Sequence, residues 1–385
     1  MLKDRLIDYD PATGRVNGPP QQIFLEVTGR CNLACVHCPK DYGSPAAAFE
    51  TDLPLATVRR LQPWLERTRF VNLNMVGEPL VAPHFDEIVR LSCSGSAEVS
   101  FNTNATLFTE RRCALFVERG VHSIAVSFDG LDSHERVRGV KYEAVRERLL
   151  LLARARDRAG SERPHIAIAY TLMRSNTREL PRLLADLLPR VRVHAVHVQP
   201  LVVFYETLRG ENAYDEPAVD EVLAACRDLC ARHGAAFTLF RSQFAQDERH
   251  RDARELRQEL GPFSEVYGCT DPFFELKIRS TGEVVACSYG LTSGANVHDR
   301  DLDEIWNSGW QRELRKRLYA KVYAGACTHC PYVHGGAENQ LDPLRPGVHH
   351  SRAERFLGRP PPATPARALP RGAPRRSESS SFPSA

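Results

Sequence analysis

Seven of the eleven cysteines in this 385-residue chain fall into two groups that could hold metal. Cys31, Cys35 and Cys38 are spaced C-x3-C-x2-C, directly after an alternating, β-branched run at 23–28. Thiolates are soft ligands that suit iron–sulfur clusters or zinc. A structural zinc would want a fourth local ligand. His37 sits between Val36 and Cys38 with little room to turn inward. Three thiolates without a fourth point to a [4Fe–4S] cluster with one iron open to a substrate or cofactor. The second group is Cys269 and Cys287, followed by the C-x2-C pair Cys327 and Cys330. Two thiols from a hairpin and two from a knuckle would serve zinc as well as iron by spacing alone. Cys93, Cys113, Cys226 and Cys230 lie in helical patterns and read as small buried hydrophobes.

Composition narrows the partners. A formal net charge of +3 gives no electrostatic case for nucleic acid or a membrane surface. Hydrophobic content of 42% is ordinary for a globular protein. No run of about 18 apolar residues occurs, so no transmembrane helix is expected. The first ten residues lack an apolar h-region, so no signal peptide is expected. The chain therefore reads as cytoplasmic, where cysteines serve as ligands rather than disulfides.

The elements that must position the first group alternate in type. Strands are expected at 23–28, 71–76, 98–102, 123–128, 165–171 and 194–199. Helices are expected at about 52–67, 84–92, 109–119, 142–158, 176–188 and 217–233. Thr109 would cap the third helix. Asn176, with Glu179 three residues on, would cap the fifth. Alternating βα units imply a parallel sheet with right-handed crossovers. Six are too few for a closed eight-stranded barrel. In such sheets chemistry gathers at the C-terminal strand ends. The cysteine loop, Gly77-Glu78-Pro79, Asn104, Ser127, Asp129 and Gln199 all fall there. Further on, 273–278 and 283–287 read as a hairpin turning at Gly282, and 302–318 as one helix.

On these residues the chain resembles the radical S-adenosylmethionine (SAM) superfamily. The resemblance rests on the first cysteine motif, with Asn32-Leu33 inside it and Pro39 behind it. It implies an α/β fold, a partial (βα)6 TIM-type barrel. A small α+β cysteine-rich domain would follow, like the twitch domain, a shortened relative of the SPASM domain. The implied divisions are an irregular lead-in at 1–20, the barrel at 21–235, a connecting region at 236–267, the twitch domain at 268–336 and a mostly disordered tail at 337–385.

It also implies the cofactors: SAM, a catalytic [4Fe–4S] cluster on Cys31, Cys35 and Cys38, and an auxiliary [4Fe–4S] cluster on Cys269, Cys287, Cys327 and Cys330. Gly77-Glu78-Pro79 resembles the family's GGEP motif, with Val76 in place of the first glycine; its acidic side chain and backbone would meet the SAM amino group. Asn104, Ser127, Asp129 and Gln199 would border SAM. Arg138 would pair with its carboxylate. A flavodoxin or ferredoxin-type reductant would supply electrons.

The expected reaction is hydrogen abstraction from a small polar metabolite, carbohydrate or aminocyclitol-like, with net oxidation through the auxiliary cluster. The alternatives are a radical epimerase or decarboxylase, a peptide-modifying enzyme, or a non-catalytic iron–sulfur or zinc protein. Tyr170, Met173, His197, Phe204 and Tyr205 are expected to face or rim the cavity.

Overall fold

Seven strands in chain order run parallel through the centre of one ten-stranded sheet. They are β3 (Gln22–Leu25), β4 (Phe70–Asn72), β5 (Glu98–Thr103), β6 (Ser123–Phe128), β7 (His165–Leu172), β8 (Ala195–Pro200) and β9 (Ala236–Leu239). The computed structural model describes residues 8–41, 50–201, 206–213, 216–239, 269, 271–287, 291–323 and 327. The tail, Cys330, Phe204, Tyr205 and most of the connecting region lie outside them.

The architecture is the expected partial (βα) barrel. β6 is buried at Ile124, Val126 and Phe128, and β7 at Ile166, Ile168, Tyr170 and Leu172. Such strands need helical cover. α1 (Leu55–Arg67) buries Val58, Leu61 and Leu65, one stripe at helical spacing. α2 (Phe85–Ser92), α3 (Glu110–Glu118) and α5 (Tyr142–Arg158) follow, with the short α4 (His134–Arg138) between the last two. Thr109 caps α3 as expected, its hydroxyl accepting from Arg112 N at 3.2 Å. α6 (Leu180–Leu187) and α7 (Val219–Arg232) complete this cover. Phe85, Phe101 and Phe116 meet edge-on between the second and third helices and the sheet.

Three expectations are corrected. The parallel run has a seventh strand: Ala236–Leu239 pairs with β8 and is not connecting chain. The C-terminal cysteine-rich segment follows as expected and continues the same sheet, with β10 (Glu275–Ile278) pairing in parallel with β3. β11 (Glu283–Val285) and β12 (Thr292–Asn296) extend that edge in antiparallel fashion. The hairpin turns at Gly282, at φ +80°, as expected.

The single helix over 302–318 is two: α9 (Leu302–Trp306) and α10 (Gly309–Tyr319), the short α8 (Asp271–Phe274) preceding β10. Asn307 turns its side chain to Val16, and Ser308 caps α10 by accepting from Gln311 N. These local bonds break the helix. Lastly, Asn176 lies inside a 3-10 turn, Arg174–Glu179, and does not cap α6.

Before β3, β1 (Asp8–Asp10) and β2 (Arg15–Asn17) form a small hairpin. No helix among the described residues is long and apolar enough to cross a membrane.

Candidate active site

The first cysteine loop leaves β3 and is tied to three neighbouring strand ends. Arg30 forks onto Asp52, with Nε to Oδ1 at 3.0 Å and Nη2 to Oδ2 at 2.7 Å. Asn104 Nδ2 donates to Asn32 Oδ1 at 2.9 Å, which fastens the loop to the end of β5. Val36 N donates to Val137 O at 3.0 Å, which fastens it to α4. Gly77 explains itself sterically: a Cβ there would lie 2.1 Å from Thr28 O and 2.8 Å from Arg30 O. Only glycine permits this approach. Glu78 N then donates to Arg30 O at 2.8 Å.

Glu78 is buried, and its carboxylate is shared among Thr103 Oγ1 (2.7 Å), Asn104 N (2.7 Å) and Leu80 N (3.2 Å). Burial raises its pKa against these donors. Pro79 opens a short 3-10 turn behind it. Glu78 thus locks the ends of β4 and β5 together. Its carboxylate works inward, as a brace.

At the end of β6, Asp129 is fully buried. Its Oδ2 lies 2.6 Å from Arg138 Nε and 3.5 Å from His37 Nε2, and its Oδ1 accepts from Thr171 N at 2.8 Å. Burial opposes its ionisation, but Arg138, His37 and that amide outweigh it and hold the carboxyl below the ordinary 3.8. Arg138 Nη1 reaches Cys35 Sγ at 3.8 Å. The guanidinium expected for a SAM carboxylate is therefore already engaged by Asp129. Burial pushes the Cys35 thiol up to about 12, with Arg138 pulling the other way. Ser127 is half-buried on β6, and Gln199 stands exposed near the end of β8, opposite Thr171. Tyr170 and Met173 do not rim a cavity: both are core, and the Tyr170 hydroxyl donates to Asn176 O.

Three carboxylate and histidine roles escaped sequence reasoning. Glu26, buried on the way out of β3, accepts from Val76 N at 3.2 Å and from Ser280 N and Oγ at 3.0 Å. It joins the Gly77 turn to the hairpin that leads to Cys287. Glu179, read as a capping acid, instead accepts the backbone N–H groups of Leu131, Asp132 and Ser133. His37 turns away from its neighbouring cysteines toward Asp129. Only Glu26 left a signal: it is a charged residue in an otherwise apolar parallel strand.

The comparisons agree with this geometry. Residues 25–188 match the radical SAM superfamily, and residues 269–331 match an iron-sulfur cluster-binding domain of the SPASM type. Residues 25–188 are a radical SAM domain. The tungsten-containing aldehyde ferredoxin oxidoreductase cofactor-modifying protein of Pyrococcus furiosus is 25% identical over 322 residues, 80% of this chain and 86% of that one. An AdoMet-dependent heme synthase of Methanosarcina barkeri is 24% identical over 334 residues, 81% of this chain and 89% of that one. Streptococcus suis SuiB bound to S-adenosylmethionine shares the fold, with a TM-score of 0.58 at 16% identity over 79% of this chain and 69% of that one.

These matches imply SAM and a [4Fe–4S] cluster for the barrel and auxiliary iron–sulfur chemistry for residues 269–331. The residues fit. Among the described residues no three His, Cys, Asp or Glu side chains close on a single ion. A cubane spreads its thiolates over separate corners, so it does not need them to. After burial itself, Cys38 adds to the raised pKa of Cys31, and Cys38 and Cys31 both add to that of Cys35. His37 Nδ1, in the same loop, is buried without a protein partner. In the second group Cys269, Cys287 and Cys327 are half-buried at the core's edge. Burial raises the Tyr323 phenol, with Cys269 and Cys327 adding to the effect.

Proposed function

We propose that this radical SAM enzyme oxidises a cofactor-type substrate, a tetrapyrrole in the first instance, by hydrogen abstraction from carbon. When bound, the first cluster supplies the electron that cleaves SAM to methionine and a 5′-deoxyadenosyl radical. One observation carries the reading. Glu78, Asn104, Arg138 and Gly77 fasten the Cys31–Cys38 loop to the ends of β4 and β5 and to the helix after β6. That is where a parallel barrel places its reacting groups.

Each assigned residue has a role. Cys31, Cys35 and Cys38 are the cluster ligands. The backbone at Gly77-Glu78-Pro79 faces the amino group of SAM, with Glu78 holding that turn rigid. Asn104, Ser127 and Gln199 border the remainder of SAM. Asp129 orients Arg138 and His37. Cys269, Cys287, Cys327 and Cys330 would hold the auxiliary cluster, with the barrel running from 21 through β9 at 239 and the auxiliary domain at 268–336. A substrate that loses a hydrogen atom and then a proton and an electron is oxidised by two electrons. An auxiliary cluster held by these four cysteines would supply the acceptor for that last electron. A flavodoxin or ferredoxin supplies the first.

The substrate class moves from the sugar expected above to a cofactor scaffold because both relatives are named for cofactor chemistry. The test is anaerobic incubation of reconstituted enzyme with SAM, reductant and one candidate at a time. An iron porphyrin should raise 5′-deoxyadenosine at least about tenfold over the substrate-free rate. A rise with a precursor peptide or an aminocyclitol alone would reassign the substrate.

A further inference from the structure

Four cationic side chains among the described residues are almost wholly buried, and three have a carboxylate. Arg138 lies 2.6 Å from Asp129, Arg156 3.1 Å from Asp157 and Lys277 3.1 Å from Asp271. Arg315 on α10 is the exception. It is fully buried, yet its donors go to neutral oxygens only. Nε reaches Pro272 O at 2.7 Å, Nη1 reaches Asn307 Oδ1 at 2.9 Å and Nη2 reaches Trp306 O at 2.7 Å. Its guanidinium carbon sits 4.1 Å above the Trp306 ring. Burial pulls its pKa down to about 9, and the only opposing influence is the Tyr9 phenol.

A buried charge without a counter-charge is costly, by several kcal/mol even after relaxation (~). Arginine tolerates such a place better than lysine, since its charge is delocalised and weakly hydrated. The carbonyls satisfy its hydrogen bonds but do not neutralise it. The missing negative charge has an evident source. Pro272 follows Cys269 by three residues, a stretch that spans at most about 11 Å. Four thiolates outweigh the charge of an iron–sulfur core, so a closed cluster on Cys269, Cys287, Cys327 and Cys330 is net negative. Reduction adds one more negative charge.

We infer that Arg315 is the built-in counter-charge of the auxiliary cluster and raises its reduction potential, which suits that cluster to accept the substrate's electron. The inference rests on the proposed assignment of those four cysteines. Arg315 touches neither substrate nor cluster; it is a positioning residue acting through the field. With its donors spent on carbonyls and its face on Trp306, it cannot swing away. The bias is therefore permanent. Taking a separation of roughly 10–15 Å and an effective dielectric of ~20, one charge shifts a one-electron equilibrium about tenfold.

The test is an EPR-monitored redox titration of the full-length holoenzyme. It follows the cluster signal that added SAM leaves unchanged. Arg315→Gln should make reduction of that cluster about tenfold harder, ~59 mV for one electron. Arg315→Lys should fall between wild type and Arg315→Gln, because a buried ammonium without a counter-charge keeps less of its charge. Asn307→Asp puts a carboxylate against Arg315 without removing it, and should lower the potential as Arg315→Gln does, even where the latter folds poorly. A loaded auxiliary cluster whose potential is the same in Arg315→Gln or Asn307→Asp as in wild type overturns the inference. Iron analysis separates the two failures: about four irons per chain and no SAM-insensitive signal would instead sink the assignment of the second cluster.

Discussion

The two cysteine sites lie in opposite electrostatic surroundings. Around the first, the buried cation Arg138 is cancelled by Asp129, and a second buried carboxylate, Glu78, stands beside the loop. On the side of the second, the fully buried cation Arg315 has no carboxylate partner among the described residues. Under the proposed reaction the demands on the two clusters would differ in the same sense. The first would give up an electron to a sulfonium and gain from a low potential. The second would accept an electron and gain from a high one. Burial, fixed charge and hydrogen bonds to sulfur are the levers a protein has for this. Here one fold sets them in two directions within one continuous sheet.

The comparison breaks most sharply at Gly77. Gly77→Ala forces a Cβ into Thr28 O and should cost the first site its cluster while sparing the second. Iron should fall by about half, and 5′-deoxyadenosine formation by more than about 100-fold. Retention of full iron and activity would show that the close approach is not needed.

Asp129→Asn leaves Arg138 buried and uncompensated, at a cost of ~3–5 kcal/mol. The pH dependence follows from the lowered Asp129 carboxyl. Its ionised form stabilises the fold above the unfolded value, ordinarily 3.8, and that contribution is lost as pH falls through the lower folded value. Urea melts from pH 5 down to pH 2 should therefore steepen in wild type and flatten in Asp129→Asn.

Ser280→Ala takes one donor from Glu26 and one partner from Thr51, at about 1–3 kcal/mol. Only the hydroxyl is lost, so the backbone bond from Ser280 N remains and the cost should sit low in that range. If Glu26 couples the sites, melting of the cluster-free protein should shift while each cluster's iron stays put. Arg30→Ala should do least. That pair is about a third exposed, and its loss should cost at most ~1 kcal/mol by thermal melting.

The sequence was most readable where one element explains itself. β6 and α5 have the bounds that period and composition suggest, and Thr109 caps α3 as its type demands. Both cysteine groups were legible from spacing. What escaped reading depends on distant chain. β9 is four residues long and pairs only because β8 offers an edge. β10 pairs with β3 across some 250 residues, and no local pattern encodes that partner. Glu179 carries the signature of a capping acid, but the backbone at 131–133 claims it first. Arg138 was read as a ligand contact because a free guanidinium fits a carboxylate. The carboxylate it found was Asp129.

The central claim is that Cys31, Cys35 and Cys38 hold the cluster that cleaves SAM. The most direct measurement is anaerobic 5′-deoxyadenosine formation by reconstituted wild type and by the Cys31→Ala, Cys35→Ala, Cys38→Ala triple variant. Both would be given SAM and excess reductant. Wild type should form 5′-deoxyadenosine and methionine in equal amounts, and the triple variant should form neither while keeping its auxiliary iron. Formation by the triple variant at a comparable rate would contradict the account.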